Sequence, residues 1–167
     1  MTDTPTANGQ DQAQAQGEPV QFSVIAQYVR DLSFENPGAP ASLALSQQPK
    51  IDIGVDVQAR RLPEDRFEVE LRIRANAADP EGKPAFVVEL VYSGIFLVKN
   101  VPADALQPLC LIECPRVLFP FARRIIADVT RDGGFPPLLL DPIDFVALYR
   151  QHLARQQQAA QQQQEQQ

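Results

Sequence analysis

A chain of 167 residues with a formal net charge of −6 has the length of one domain with polar ends to spare. The acidic balance argues against a nucleic-acid partner, which selects a basic face, and suits a soluble protein with cationic or apolar partners. No stretch reaches the roughly 18 apolar residues of a membrane helix, and the opening MTDTPTANGQDQAQAQGEP has neither the basic start nor the apolar centre of a signal peptide, so no membrane insertion is expected and the cytoplasm is the expected compartment.

Residues 1–18 are rich in Gln, Thr and Asp and are predicted to be a disordered leader. From Val20 a period of two begins, with Val20, Phe22, Val24, Ala26 and Tyr28 on one side and Gln21, Ser23 and Gln27 on the other. This first strand runs on through Leu32 and Phe34 and stops at the turn signal Asn36-Pro37-Gly38-Ala39-Pro40. Residues 41–48 read as a loop. The second strand sets Ile51, Ile53, Val55 and Val57 inward and Asp52, Asp56 and Gln58 outward. The third alternates Phe67, Val69, Leu71, Ile73 and Ala75 with Glu68, Glu70, Arg72, Arg74 and Asn76. Arg60–Asp65 and Asp79–Pro84 are short connections, which predicts an antiparallel meander.

The fourth strand, Ala85 to Val98, differs. Phe86, Val88, Leu90 and Tyr92 line one face, while Val87 and Val91 join Glu89 on the other. A run apolar on both sides is expected where both sides are covered. Gly94 breaks the alternation and is expected to mark a bulge or bend.

Two helices follow. Leu118, Phe121, Ala122, Ile125, Ile126 and Val129 form an apolar stripe at three- and four-residue steps. Pro120 is expected at the start of this helix, where a missing N–H costs nothing. Arg131 suits its C-terminal dipole end, Gly133-Gly134 its left-handed stop, and Pro136-Pro137 forbids continuation. The second helix is expected to begin at Asp141-Pro142-Ile143-Asp144, with Asp141 as N-cap, and to present Phe145, Val146, Leu148, Tyr149 and Leu153. From Gln156 the chain is almost all Gln and Ala. Both residues tolerate helix, so the second helix is free to run on before fraying, but residues 156–167 are expected to be a disordered tail.

The expected fold is α+β: a four-stranded antiparallel sheet with two C-terminal helices on one face, over residues 19–155. The fourth strand, Phe119, Phe121, Ile95 to Leu97, and Phe135 to Leu140 supply more apolar surface than one such layer needs. Surplus of this kind marks an oligomer interface or a binding groove.

Catalytic chemistry is nearly absent. There is one histidine, His152, no Gly-rich phosphate loop and no nucleophile elbow. Asp31, Glu35, Asp52, Asp56, Glu68 and Glu70 stand at strand spacing and read as a solvated sheet face. Cys110 and Cys114, four apart, share a helix face, but zinc takes four ligands and His152 is far along the chain. Packing as small hydrophobes is the expectation for both, without a disulfide. Neither an enzyme nor a cofactor nor a metal site is expected.

The residues carry a resemblance to a known family. Cys114-Pro115, Leu118-Phe119-Pro120, Ala122-Arg123, Gly134-Phe135-Pro136, then Leu138, Leu140, Pro142, Phe145 and Leu148 resemble the signature of the SecB protein-export chaperones. Upstream, Asp31-Leu32-Ser33-Phe34-Glu35 with Pro37 and Ala39-Pro40 is similar to that family's first strand and turn, and Gly94-Ile95-Phe96 to the end of its fourth. The resemblance spans about Val20 to Leu153. It implies a cytosolic holdase without enzymatic activity. Such a protein keeps unfolded precursor proteins translocation-competent without ATP and passes them to the translocation ATPase SecA. It also implies a homotetramer, a dimer of dimers with the first helices between the dimers.

A holdase must accept many sequences, so apolar contact and backbone hydrogen bonding serve it better than a polar code. Burial returns roughly 25 cal/mol per Å² of apolar surface, and long grooves add avidity. Three sets of residues are the candidates. Asp31, Glu35, Val87 and Glu89 match the family's docking face for SecA's basic, zinc-binding C-terminal segment, the zinc being SecA's own. Ile95, Phe96, Leu97, Phe145, Leu148, Tyr149 and Leu153 are expected to line a client groove. Val88, Leu90, Tyr92, Phe121 and Ile125 are expected at the tetramer interface. Two other readings compete: a SecB-like holdase dedicated to one client such as an antitoxin, and a small-ligand carrier or hydrolase on the same sheet. The tail departs from the family, where it helps contact the ATPase.

Overall fold

The computed structural model describes residues 17–44 and 47–164. Four strands, β1 (Gln21–Glu35), β2 (Lys50–Leu62), β3 (Arg66–Ala78) and β4 (Pro84–Lys99), form one antiparallel sheet. Its order is β1-β4-β3-β2. Only β2, β3 and β4 form a meander, because their turns are short; β1 pairs with β4 rather than with β2. Residues 36–49 are long enough to carry the chain across the sheet, three strand spacings or roughly 14 Å. β4 is a central strand, and side chains of its two neighbours leave Val87 and Val91 half-buried on the outer face.

Cross-strand partners share a face, so the register sorts every side chain. Phe22 faces Val98 and Val24 faces Phe96, but Ala26 faces Ile95, and further on Leu32 faces Leu90. The register slips once between Val24 and Ala26 and again between Val29 and Asp31. Ile25 and Arg30 are the extra residues of two bulges. Ala26 and Tyr28 therefore lie on the opposite face from Phe22 and Val24, which corrects the single alternation expected for this strand. A bulged residue flips everything after it, and composition does not announce it.

The irregularities near Gly94 belong to β1, since neither pairing of β4 slips at that residue. Gly94 instead admits a helix: a Cβ there would lie 2.8 Å from Leu118 Cδ2 and from the Phe96 ring. Gly94→Ala is expected to destabilise the chain by about 1–3 kcal/mol, read as a lower urea midpoint at an unchanged slope.

The helical region runs without a break from Ala103 to Asp132: α1 (Ala103–Pro108), a π turn (Leu109–Glu113), and α2 (Cys114–Asp132). This run, unlike the expectation of no such segment, is long and apolar enough to cross a membrane by length and composition, with a third of its most apolar window buried in the fold. Pro120 lies inside α2 and Pro115 at its beginning, so the start expected at Pro120 is five residues late. In the π turn the Cys114 N–H reaches back to the Leu109 carbonyl. That wider turn suits Pro115, which has no N–H to continue an α pattern. α2 stops as expected. Gly134 has φ +90°, and Phe135 N–H donates to the Thr130 carbonyl. The buried Thr130 hydroxyl also accepts from Leu138 N–H at 2.9 Å, pinning the segment that follows.

The last helix, α3 (Phe145–Gln164), begins later than expected. Asp144 is its cap, its Oδ1 accepting from Ala147 N–H at 3.0 Å, and Asp141–Pro142 stay in the loop. α3 continues through the Gln-rich stretch to Gln164, so helix replaces the disorder expected over 156–164. The rest of the tail and residues 1–16 of the leader lie outside the described residues. The core sits between the sheet and α2: Val69, Leu71, Ile73, Val88, Leu90, Phe96, Leu118 and Ile126 are almost wholly buried. Cys110 and Cys114 are free thiols within it.

Candidate binding surfaces

A cleft of about 520 Å³ opens where α1, the π turn and α3 meet the free edge of β2. Its floor is apolar: Val57, Phe67, Leu106, Cys110 and Leu111. His152 and Gln156 of α3 form the far wall, and a narrow extension adds Val55, Leu148, Tyr149 and Arg155. Val57 through Arg61 line the cleft consecutively. Neighbouring strand residues point to opposite faces, so what bounds the cleft is the backbone edge of β2. An edge strand carries unpaired N–H and C=O groups. An apolar floor beside them offers an extended peptide both kinds of contact at once.

The seven groove candidates separate. Leu148 and Tyr149 reach the cleft. Phe145 and Phe96 are core residues, Phe145 edge-on to Phe119 and Phe96 stacked on Phe22. Ile95 and Leu97 project to the outer face, so the sheet itself lies between them and α3. Three consecutive strand residues do not share a groove. Leu153, half-buried, lines neither cavity. The floor residues Leu106, Cys110 and Leu111 were unreadable as a site because Pro108 disguises the helix that carries them.

Among the described residues no helix covers the outer face of the sheet. One corner joins Asp31, opposite Val91, Ser33, opposite Glu89, and Glu35, opposite Val87. All four docking candidates therefore meet in one patch of two neighbouring strands. Asp31 and Glu35 are exposed, Val87 is half-buried, and Glu89 pairs with Arg74 at 2.9 Å.

Further along the same face Glu68 and Glu70 are only 3% and 7% exposed. They are not the solvated carboxylates expected from their spacing. Tyr28 and Arg60 hydrogen-bond Glu68, Arg30 bridges Glu68 at 3.1 Å and Glu70 at 2.5 Å, and Arg72 binds Glu70 at 2.6 Å. The second bulge of β1 is what brings Arg30 over them. Burial opposes ionisation of Glu68, but the hydrogen bonds from Tyr28 and Arg60 and the charges of Arg60 and Arg30 together hold its carboxyl below the usual value. Burial, then the bond to Glu68, raise the Tyr28 phenol. A depressed folded-state pKa stabilises above the unfolded value and loses that contribution as pH falls through the folded one. The stability advantage of the parent over Glu68→Gln is therefore expected in full at neutral pH, to begin to fall near the ordinary carboxylate value of about pH 4 and to be lost as pH drops through the lower folded-state value, measured by thermal melts across pH.

The third surface is the β1 edge. Phe22, Val24, Val29 and Leu32 are exposed although they lie on the helix side, and Phe121 of α2, 44% exposed, stacks on Tyr92 nearby. Of the interface candidates, Val88, Leu90 and Tyr92 are buried in the chain's own core beneath α2, which leaves them no surface to offer a second copy. Phe121 and, in part, Ile125 keep theirs.

An open antiparallel sheet backed by helices on one face, with an apolar-floored cleft along its β2 edge, defines a two-layer α+β protein. The profile of a family described as "Preprotein translocase subunit SecB" matches residues 13–156. A protein-export protein SecB of Afipia carboxidovorans is 53% identical over 157 residues, covering 93% of this chain and 94% of that protein. Another, from Rhodopseudomonas palustris strain BisB18, is 58% identical over 137 residues, 81% and 83% of the two chains. A solved SecB-like chaperone of Mycobacterium tuberculosis, in complex with a peptide of the HigA1 antitoxin, superposes with a TM-score of 0.61 over 74% of this chain and 91% of that one, at 12% identity, which shows a shared fold. The chain belongs to the SecB family of protein-export chaperones.

Proposed function

We propose that this protein is an ATP-independent cytoplasmic holdase. It binds unfolded precursor proteins along the β2 cleft, keeps them translocation-competent and hands them to SecA at the acidic outer corner. The cleft carries this reading. Its apolar floor and the unpaired edge of β2 let an extended chain add as a fifth strand while alternate side chains enter the apolar pocket. Backbone pairing does not depend on sequence, which is what a binder of many clients needs. Folded proteins bury their long apolar runs and protect their edge strands, so the same contact discriminates by folding state.

The assembly in this proposal is a homotetramer, a dimer of dimers. Support comes from the β1 edge, where Phe22, Val24, Val29 and Leu32 are exposed, and from Phe121, also exposed and stacked on Tyr92, the cross-strand partner of Val29. A long apolar edge strand left open is an aggregation template unless a second copy covers it.

The test is suppression of aggregation of several unrelated slow-folding precursors, followed by their release on addition of SecA. Activity on all of them supports the export role. Activity on a single client supports a dedicated holdase instead, the reading that the antitoxin peptide in the fold neighbour keeps in view. Tyr149→Ala, which removes a half-buried wall of the cleft extension, is expected to weaken precursor binding about three- to tenfold, on the order of 1 kcal/mol, with the melting curve of the protein unchanged. Unfolding of that variant would place Tyr149 in the core.

A further inference from the structure

The outer face carries a second charged feature beside the acidic corner. A depression of about 260 Å³ is lined by Arg30, Gln58, Arg60, Glu68, Glu70 and Arg72. Three guanidinium groups stand over two carboxylates, and Asp56 faces Arg72 across the ladder at the rim, so the arginines are charge-matched but exposed. The arginine side chains remain 46%, 64% and 45% exposed in chain order, while the glutamates are sunk beneath them. Among the described residues Arg60 uses only Nε, Arg30 only Nη1, and Arg72 Nε and Nη2. Each guanidinium has five N–H donors, so every one keeps uncommitted donors at the mouth of the depression.

The placement relative to the acidic corner is fixed by register. Asp31, Val91 and Arg72 form one row, since Asp31 and Arg72 both face Val91. Two strand spacings separate the two charges, roughly 10 Å, which an extended peptide covers in about three residues. The apolar Val91 lies between them.

We propose that the outer face is a bipolar docking surface: a single partner segment sets basic residues on Asp31, Glu35 and Glu89, and carboxylates about three residues away on Arg30, Arg60 and Arg72. This rests on the docking reading above and adds to it a second subsite made of exposed guanidinium donors. Arginine forks pair carboxylates with defined geometry, so the second subsite fixes the direction and register in which the segment lies. A basic corner-binder alone would slide.

Four labelled synthetic peptides test it by fluorescence anisotropy on the intact protein at low salt. One holds four basic residues in a Gly/Ser background, the second adds three glutamates after a three-residue spacer, the third scrambles the second, and the fourth keeps only the glutamates. The overall negative charge of the protein predicts that added glutamates weaken binding. The bipolar surface predicts the reverse: the extended peptide binds at least tenfold tighter than the basic one and than its scramble. Arg72→Gln, which leaves Glu70 its bridge to Arg30, is expected to erase that advantage and retain the affinity of the basic peptide. Glu89→Lys is expected to weaken both basic peptides. If the basic peptides do not respond to Glu89→Lys while the glutamate peptide binds and is lost in Arg72→Gln, the acidic corner is misplaced and the arginine subsite stands. Equal or weaker binding of the extended peptide to the parent overturns the proposal and leaves the arginines as neutralising cover for Glu68 and Glu70.

Discussion

Leu90→Arg is expected to unfold the chain rather than to divide an assembly. Leu90 is 1% exposed, in the central strand and within the core that α2 covers. Its cross-strand neighbours on the same face are Leu32 and Ile73, and the buried carboxylates among the described residues, Glu68 and Glu70, lie on the opposite face. An arginine there loses the apolar contacts of leucine and buries a charge without a partner, together on the order of 5 kcal/mol. A domain of this size has about 5–15 kcal/mol in total, so the variant should lose its cooperative melt by circular dichroism. A folded variant that sediments as a smaller species would return Leu90 to an interface. Leu32→Arg is the informative partner experiment. Leu32 faces Leu90 across the ladder but is exposed in the single chain, so its substitution should spare the fold and reduce the assembly, seen by sedimentation at micromolar concentration.

The second large effect is expected at Glu89. Its side chain is 43% exposed and, among the described residues, its one ion pair is with Arg74, so replacing it should cost the fold little. Glu89→Lys reverses the charge at the centre of the corner formed with Asp31 and Glu35, and sets a lysine beside Arg74. Attraction for a basic segment turns into repulsion at the point of contact. SecA binding is expected to fall more than about tenfold, and the affinity that remains to fall further with added salt, since exposed charges are screened within about 10 Å at 0.1 M. Precursor binding and assembly should be unchanged, because the cleft lies at the β2 edge, two strands from Glu89, and the β1 edge is untouched. Undiminished SecA binding at low salt would place the docking face elsewhere.

The four strands and the apolar stripe of α2 were legible in the residues themselves, because period two and period 3.6 are imposed by backbone geometry on any half-buried element. The stop at Gly133-Gly134 was legible for the same local reason. So was the acidic corner, whose odd-numbered residues beyond the second bulge keep one parity. Local sequence did not decide which strands are neighbours. Pairing β1 with β4 depends on a connection long enough to cross the sheet and on burying a strand that is apolar on both faces. The bulge at Ile25 then reversed the parity of Tyr28, and the second, at Arg30, brought that arginine over Glu68 and Glu70. Those carboxylates read as solvated because a strand pattern records which face a residue takes, not what a neighbouring strand lays over it. The cleft was decided at the tertiary level too: its floor comes from β2, β3 and the α1–π turn, segments distant in sequence. Periodicity marks Leu90 and Phe121 alike as apolar, and only the packing of α2 on the sheet makes one of them core and leaves the other open to a second chain.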